Sequence, residues 1–325
     1  MDWKVLDDRE NIENKNAGNG GDLVKHTVYL ATLQFLLRQP PWHESLRLRE
    51  CHAGRGIYRI LGEQGRGKGL SALFSKPATG ESILLHDAQR EILARLGCWP
   101  DAGATIQWYA GSAAINAFAL GNDSQNLHQF DAYEAEPATR HILRTLLMDR
   151  RLSLPKQTRV LPLAEHDKFF DGEAYVAENI AGWNTQDVIL LDPFAMWRQS
   201  SHQAKRTRYK AIINGLIRRN NDAPVCIIFW TWGRHFPIAM GDLMGISKPV
   251  RSGYQDLRGV LHTAGLKFIL VDWRWNLQFA MWIVVPSAQL VPLHEEISLH
   301  CSMLMGHLTG HGYCPTKSKV NVTID

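Results

Sequence analysis

Asp192-Pro193 closes an apolar run, Val188-Ile189-Leu190-Leu191, and leads into Phe194-Ala195-Met196-Trp197. Such a run reads as a strand buried on both faces, and in a parallel sheet ligands sit at the carboxyl ends of the strands. Proline fixes its own φ and keeps the residue before it extended. The step therefore presents a carboxylate and a carbonyl from one rigid turn, two acceptors able to take both protons of an amino group. Asp192 and Pro193 are the candidate catalytic residues. Phe194 and Trp197 are the aromatic candidates for contact with a flat substrate.

Other segments carry complementary chemistry. His52-Ala53-Gly54-Arg55-Gly56 follows a stretch that alternates like a strand, and glycines in such a turn let the backbone approach a ligand closely. Ala132-Tyr133-Glu134-Ala135-Glu136-Pro137 places an acid at a second strand end. A carboxylate there can accept both ribose hydroxyl protons. Glu134 and Glu136 compete for that role, and capping the helix that Pro137 begins is the alternative for either. Asp167-Lys168-Phe169 follows a third strand. Between Arg198 and Arg219 stand seven basic residues and no acidic one. A basic surface beside a catalytic mouth suits a phosphate-bearing polymer, with Lys205, Arg206 and Arg208 as its contacts. A solvated helix face is the competing reading of the same run.

The units that must position these residues follow from periodicity. Asp22 to Arg38 has helical spacing, entered through Ala17-Gly18-Asn19-Gly20-Gly21 and ended by Pro40-Pro41. Leu46 to Cys51 is the first strand. Residues 61–104 form an insertion with one helix, His86 to Leu96. The remainder alternates: strands at 106–109, 128–133, 159–162, 188–191 and 225–230, with helices at 112–120, 137–148 and 205–219. Lys267 to Trp275 and Leu277 to Val285 read as a final hairpin that supplies an antiparallel edge strand. The pattern predicts an α/β, Rossmann-like, doubly wound, mainly parallel sheet. Its parts are residues 1–60 (the start of the main domain), 61–104 (a small inserted helical subdomain) and 105–325 (the rest of the main domain).

Ala17-Gly18-Asn19-Gly20-Gly21-Asp22-Leu23-Val24-Lys25-His26 resembles the N-terminal signature of the RlmJ family, the large-subunit ribosomal RNA adenine-N6 methyltransferases. His52-Ala53-Gly54-Arg55-Gly56-Ile57-Tyr58 is similar to that family's His-Ala-Gly-x-Gly-x-Tyr turn, and Tyr109-Ala110-Gly111-Ser112 to its Tyr-Pro-Gly-Ser. Glu134-x-x-Pro137 and Trp230 fall in family order. The resemblance implies a class I methyltransferase fold, S-adenosylmethionine as cofactor and RNA as partner. It implies a cofactor site of Lys25, His26, His52, Gly54, Gly56, Ser112, Glu134 and Asp167, with Asp192 catalytic. The chain departs from the Asp-Pro-Pro-Tyr motif by carrying Phe194 and Ala195. Two alternatives stand beside adenine methylation: a binding protein that keeps the fold without catalysis, and a methyltransferase for a different amine.

Composition narrows the classes. The 325 residues are 45% hydrophobic and 21% charged, as in an ordinary folded domain of enzyme size, and the net charge of +4 is too small to point to a partner by itself. No apolar stretch approaches the roughly 20 residues of a membrane span, and the acidic N-terminus lacks a signal-peptide core. The five cysteines show no disulfide framework, so the expected compartment is the cytoplasm. Cys301-x5-His307-x3-His311-x2-Cys314 lacks conventional zinc spacing, and no metal is expected. Cys51 reads as a buried strand-end thiol, and the tryptophans at 230, 232, 273, 275 and 282 as core or cross-strand residues.

Overall fold

In a strand, successive side chains enter opposite faces, so a strand apolar at every position needs cover on both sides. In the computed structural model, which describes residues 18, 20–60, 66–78, 80–100, 107–122, 127–162, 172–192, 211–217, 223–231, 259, 261–274, 278–313 and 319–325, that cover is provided. The first half of the chain runs α1 (Gly20–Leu37), β1 (Arg47–Cys51), β2 (Ile57–Arg59), α2 (Arg66–Phe74), α3 (Leu84–Leu96), β3 (Trp108–Ala110), α4 (Ser112–Gly121) and β4 (Gln129–Tyr133). Next come α5 (Pro137–Leu147), β5 (Gln157–Leu161), α6 (Gly172–Asn179), β6 (Asp187–Leu191) and α7 (residues 211–217). The chain closes with β7 (Val225–Thr231), β8 (Phe268–Arg274), β9 (Gln278–Val284), α8 (Ser287–Gly310) and β10 (Val320–Ile324).

Eight strands form one sheet in the order β10-β8-β9-β7-β6-β1-β4-β5. β5, β4, β1, β6 and β7 are mutually parallel, whereas β9 is antiparallel to both β7 and β8. Along β6, Val188 and Leu190 join a core with residues of α1, α3, α4, α5 and α8. Ile189 and Leu191 point the other way, into a second core with residues of α6 and α7. The result is three layers, α/β/α.

Three expectations are corrected. The hairpin of β8 and β9 forms, but β9 inserts between β7 and β8, so the hairpin supplies no edge. The antiparallel edge is β10, which pairs with β8 from Val320↔Trp273 to Ile324↔Ile269. The strand expected at 106–109 stays out of the main sheet; Trp108–Ala110 pairs with Ile57–Arg59 in a two-stranded ladder. Between those two strands lies a second helix beside the expected one, and Leu70, Leu73, Ile92 and Leu93 share the core of α1.

The second face also carries charge. Arg49 on β1 donates to Asp187 on β6 at 3.0 Å and to Asp131 on β4 at 2.9 Å. Arg159 on β5 donates twice to Asp131, at 2.7 Å each. The Arg49 guanidinium stacks 4.4 Å from the Trp183 ring centre, an arrangement suited to a planar cation. Four parallel strands are thereby tied across the sheet by alternating charge.

Candidate active site

The strand order turns back on either side of the β1–β6 pair, since β4 and β5 follow on one flank and β7 on the other. At such a switch point the loops beyond the strand ends separate and leave a crevice. Cys51 is registered against Tyr133 of β4 and Leu191 of β6. The β1 turn therefore stands between the acid after β4 and Asp192 after β6, which lie about 10 Å apart by strand spacing.

The glycine turn is tightly determined. His52 has φ 72°, a left-handed conformation uncommon for a residue with a side chain. The Tyr133 carbonyl holds it there, accepting from the backbone N–H groups of both His52 and Ala53. Gly54 follows at φ 63°, and a Cβ there would lie 2.2 Å from the Tyr58 hydroxyl. The Gly54 N–H donates to Glu134 Oε2 at 2.9 Å. Gly56, at φ 73°, packs against Leu143 and Leu146 of α5. Of the two acids, Glu136 takes the capping role, accepting from the N–H groups of Ala138 and Thr139 at the start of α5. Glu134 turns back to the β1 turn. His52 Nδ1 is buried without a hydrogen-bond partner.

On the other side of β1, the α1 residues meet the end of β6. Lys25 Nζ lies 2.7 Å from Asp192 Oδ2 and 3.0 Å from Asp22 Oδ1, and 5.0 Å from the Phe229 ring centre. Burial alone would depress the Lys25 ammonium, but Asp192 and Asp22 outweigh it and hold its pKa well above the lysine value. Asp22 also accepts the Gly18 N–H at 2.9 Å. His26 Nδ1 lies 2.6 Å from the Tyr109 hydroxyl, with the two rings stacked. Burial, and then the Lys25 charge, lower the His26 pKa well below 6.5, which keeps its imidazole neutral.

Three members of this group escape a reading by motif. Glu50, on β1, is 1% exposed and accepts from Asn116 Nδ2 of α4 at 2.9 Å. Burial pushes its carboxyl up to about 7 against the pull of Ser112 and Asn116, and the Asp192 charge adds to the rise. Tyr29, also 1% exposed, lies in the field of Asp192, Lys25 and Glu50. A signal exists for Glu50: it falls in the inward phase of Leu46 and Leu48, where an acid is out of place. Asn116 interrupts an otherwise apolar helix. Tyr29 carries no such mark.

Lys25 and Asp192 are thus gathered on one side of the β1 turn, and His52, Gly54 and Glu134 on the other, with Ser112 beside Glu50 and His26 against Tyr109. Pro193, Phe194, Trp197, Asp167, Lys205, Arg206 and Arg208 lie outside the described residues. Cys51 is buried, and burial raises its thiol pKa well above the usual value, the opposite of an activated nucleophile. His307 bonds the Leu73 carbonyl, and among the described residues no cluster of histidine, cysteine or acid is arranged to hold a metal.

No family model and no curated protein matches the chain. Its fold is similar to the crystal structure of LPL1258 from Legionella pneumophila str. Philadelphia 1, described as family-model DUF519. The match covers 94% of this chain and 97% of that chain, at 16% sequence identity and a TM-score of 0.60. A likeness of that extent at so low an identity is a likeness of fold.

Proposed function

We propose that this chain is an S-adenosylmethionine-dependent methyltransferase acting on an exocyclic amino group of a nucleic-acid base, adenine N6 in RNA. The observation that carries the reading is a convergence. Lys25, from the N-terminal signature, meets Asp192 of the Asp-Pro step, although 167 positions separate the two. Glu134 likewise meets the Gly54 turn across 80 positions. The sheet order, with one antiparallel strand inserted next to the last parallel one, is that of class I methyltransferases and supports the same reading.

The residues present fit such a cofactor. Gly54 has the Tyr58 hydroxyl where a side chain would begin, so only glycine keeps this turn tight against the strand end, and its N–H aims Glu134 there. Glu134 accepts the Gly54 N–H with one carboxylate oxygen and the Glu136 N–H with the other, which holds at the strand end the kind of group that ribose hydroxyls donate to. A bound sulfonium donor supplies an electrophilic methyl group. The chain's own part is positioning and charge. Lys25 fixes one oxygen of the Asp192 carboxylate, which leaves Oδ1 to accept an N–H from the substrate. That hydrogen bond would localise a lone pair otherwise delocalised into the base. Oδ1 would take the proton that the nitrogen loses once the N–C bond has formed and the methyl–sulfur bond has broken with its electron pair left on sulfur. The base must leave its stack to reach this point.

Transfer of labelled methyl to RNA, DNA and protein fractions tests the reading. RNA should be labelled by the wild type and not by Asp192→Ala, while calorimetry finds the cofactor still bound by that variant and bound more weakly by Glu134→Ala. Equal labelling by Asp192→Ala would remove Asp192 from the chemistry.

A further inference from the structure

Among the described residues, the groups around the end of β6 are unbalanced in charge. Asp22, Glu50 and Asp192 face one ammonium, that of Lys25, while His26 is held neutral. Two polar groups aimed into the cluster lack partners: Glu50 Oε1 and the Tyr29 hydroxyl, each on a residue 1% exposed. A buried carboxylate oxygen left unmatched costs the full desolvation of that group. The cluster is not sealed, since the Asp22 and Asp192 side chains are 18% and 17% exposed.

We propose that this cluster is a charge-selective site for an organic cation, a sulfonium or ammonium, and that Glu50 gives up its proton as the cation enters. The inference rests on the methyl-transfer reading for the identity of the cation, not for the sign of the charge the site prefers. The consequence is a means of discrimination: a sulfonium donor is favoured, and the uncharged thioether left after methyl transfer is not.

The groups facing Glu50 set the direction of the coupling. Lys25 and Tyr29 reach it from α1, Ser112 and Asn116 from α4, and Asp192 from the end of β6. Ser112 and Asn116 already pull toward the charged form, and Asp192 and burial oppose them. An added cation joins the first side. Glu50 is pushed up to about 7 in the free protein, so it binds a proton near neutrality that the complex releases. Affinity for the cation then rises with pH, by roughly tenfold between about pH 6 and about pH 8 when ionised Glu50 is required.

Calorimetric titrations with S-adenosylmethionine, its analogue bearing a protonated amine in place of the sulfonium, and the neutral thioether product test the proposal. Wild type should favour both cations over the thioether at high pH, and less so at low pH. Near neutrality the cations should release a proton, read from how the heat varies with buffer ionisation enthalpy. Glu50→Gln should lose the proton release and most of the preference. The proton count is taken on the wild-type chain, so it stands even if the variant fails to fold.

A thioether bound as tightly as the cations, with no proton released, overturns the cation site and leaves methyl transfer intact. If none of the three binds, it is the methyl-transfer reading that fails. Tetramethylammonium, compared with uncharged tert-butanol, then decides the cation site. Chemical-shift changes at the Asn116 side-chain amide with the cation alone uphold it, and their absence overturns it.

Discussion

Glu50 shows how one side chain ties stability to pH. Its carboxyl follows Leu46 and Leu48 into the interior and there titrates at about 7, up from 4.5. Between those values the folded chain holds a proton that the unfolded chain has released. Its contribution to stability is therefore complete below about pH 4.5 and lost as pH rises through about 7. Glu50→Gln should match the wild type near pH 4.5 and exceed it by up to about 3 kcal/mol near pH 8. Urea midpoints at the two pH values check this, and an equal offset at both would trace the effect to packing. His26 acts in the other direction. Its pKa is lowered by burial and by Lys25, so the stability of its neutral form is lost as pH falls from 6.5 towards the folded value. Glu50 was legible as an acid in an apolar phase. That Asn116 would be its partner and Tyr29 would share its field was not, because they come near it only when α4 and α1 pack.

Among strands, the charge ladder across β6, β1, β4 and β5 contrasts burial with contact distance. Asp187 is fully buried and touches Arg47 and Arg49, whereas Arg159, 53% exposed, sits as close to its own partner. Removing one partner of a buried pair leaves the other charge stranded; removing an exposed one costs little. Asp187→Ala should destabilise by about 3–5 kcal/mol and Arg159→Ala by about 1 kcal/mol or less in chemical denaturation. Similar losses would mean that the ladder acts through contacts alone. Local patterning did well where burial is local: α1, β6 and the β8–β9 hairpin all stand near their expected bounds. It failed for β3, whose strand-like residues pair with β2, and for β9, whose apolar run fits an edge or a centre equally. Periodicity states which face is buried and says nothing about which strand lies alongside.

The sheet as a body is closed on one flank by β10 and on the other by β5. β10 is bound by its ladder to β8, by reciprocal backbone bonds between Phe268 and Asp325, and by the His262–Asp325 pair at 3.1 Å. Deleting residues 319–325 should bare the β8 edge, lower the melting temperature and promote self-association. Size-exclusion chromatography against concentration reads the outcome, and an unchanged monomer-like profile with unchanged melting would show β10 to be dispensable. The alternation of strands and helices made a parallel sheet legible, since parallel neighbours demand crossovers, but not the place where the strand order reverses. One junction carries a longer consequence. The β2–β3 ladder, with the Gly111 N–H on the Gly56 carbonyl at 2.9 Å, makes the chain leave and re-enter the body at a single spot. The entropy of closing such an excursion grows only with the logarithm of its length, about 0.6 kcal/mol per doubling. Over evolutionary time, segments of different size can be grafted there without re-aiming Gly54, provided that each graft keeps an apolar face for α1. The junction is a port at which the excursion can change in size while the β1 turn beneath it stays still.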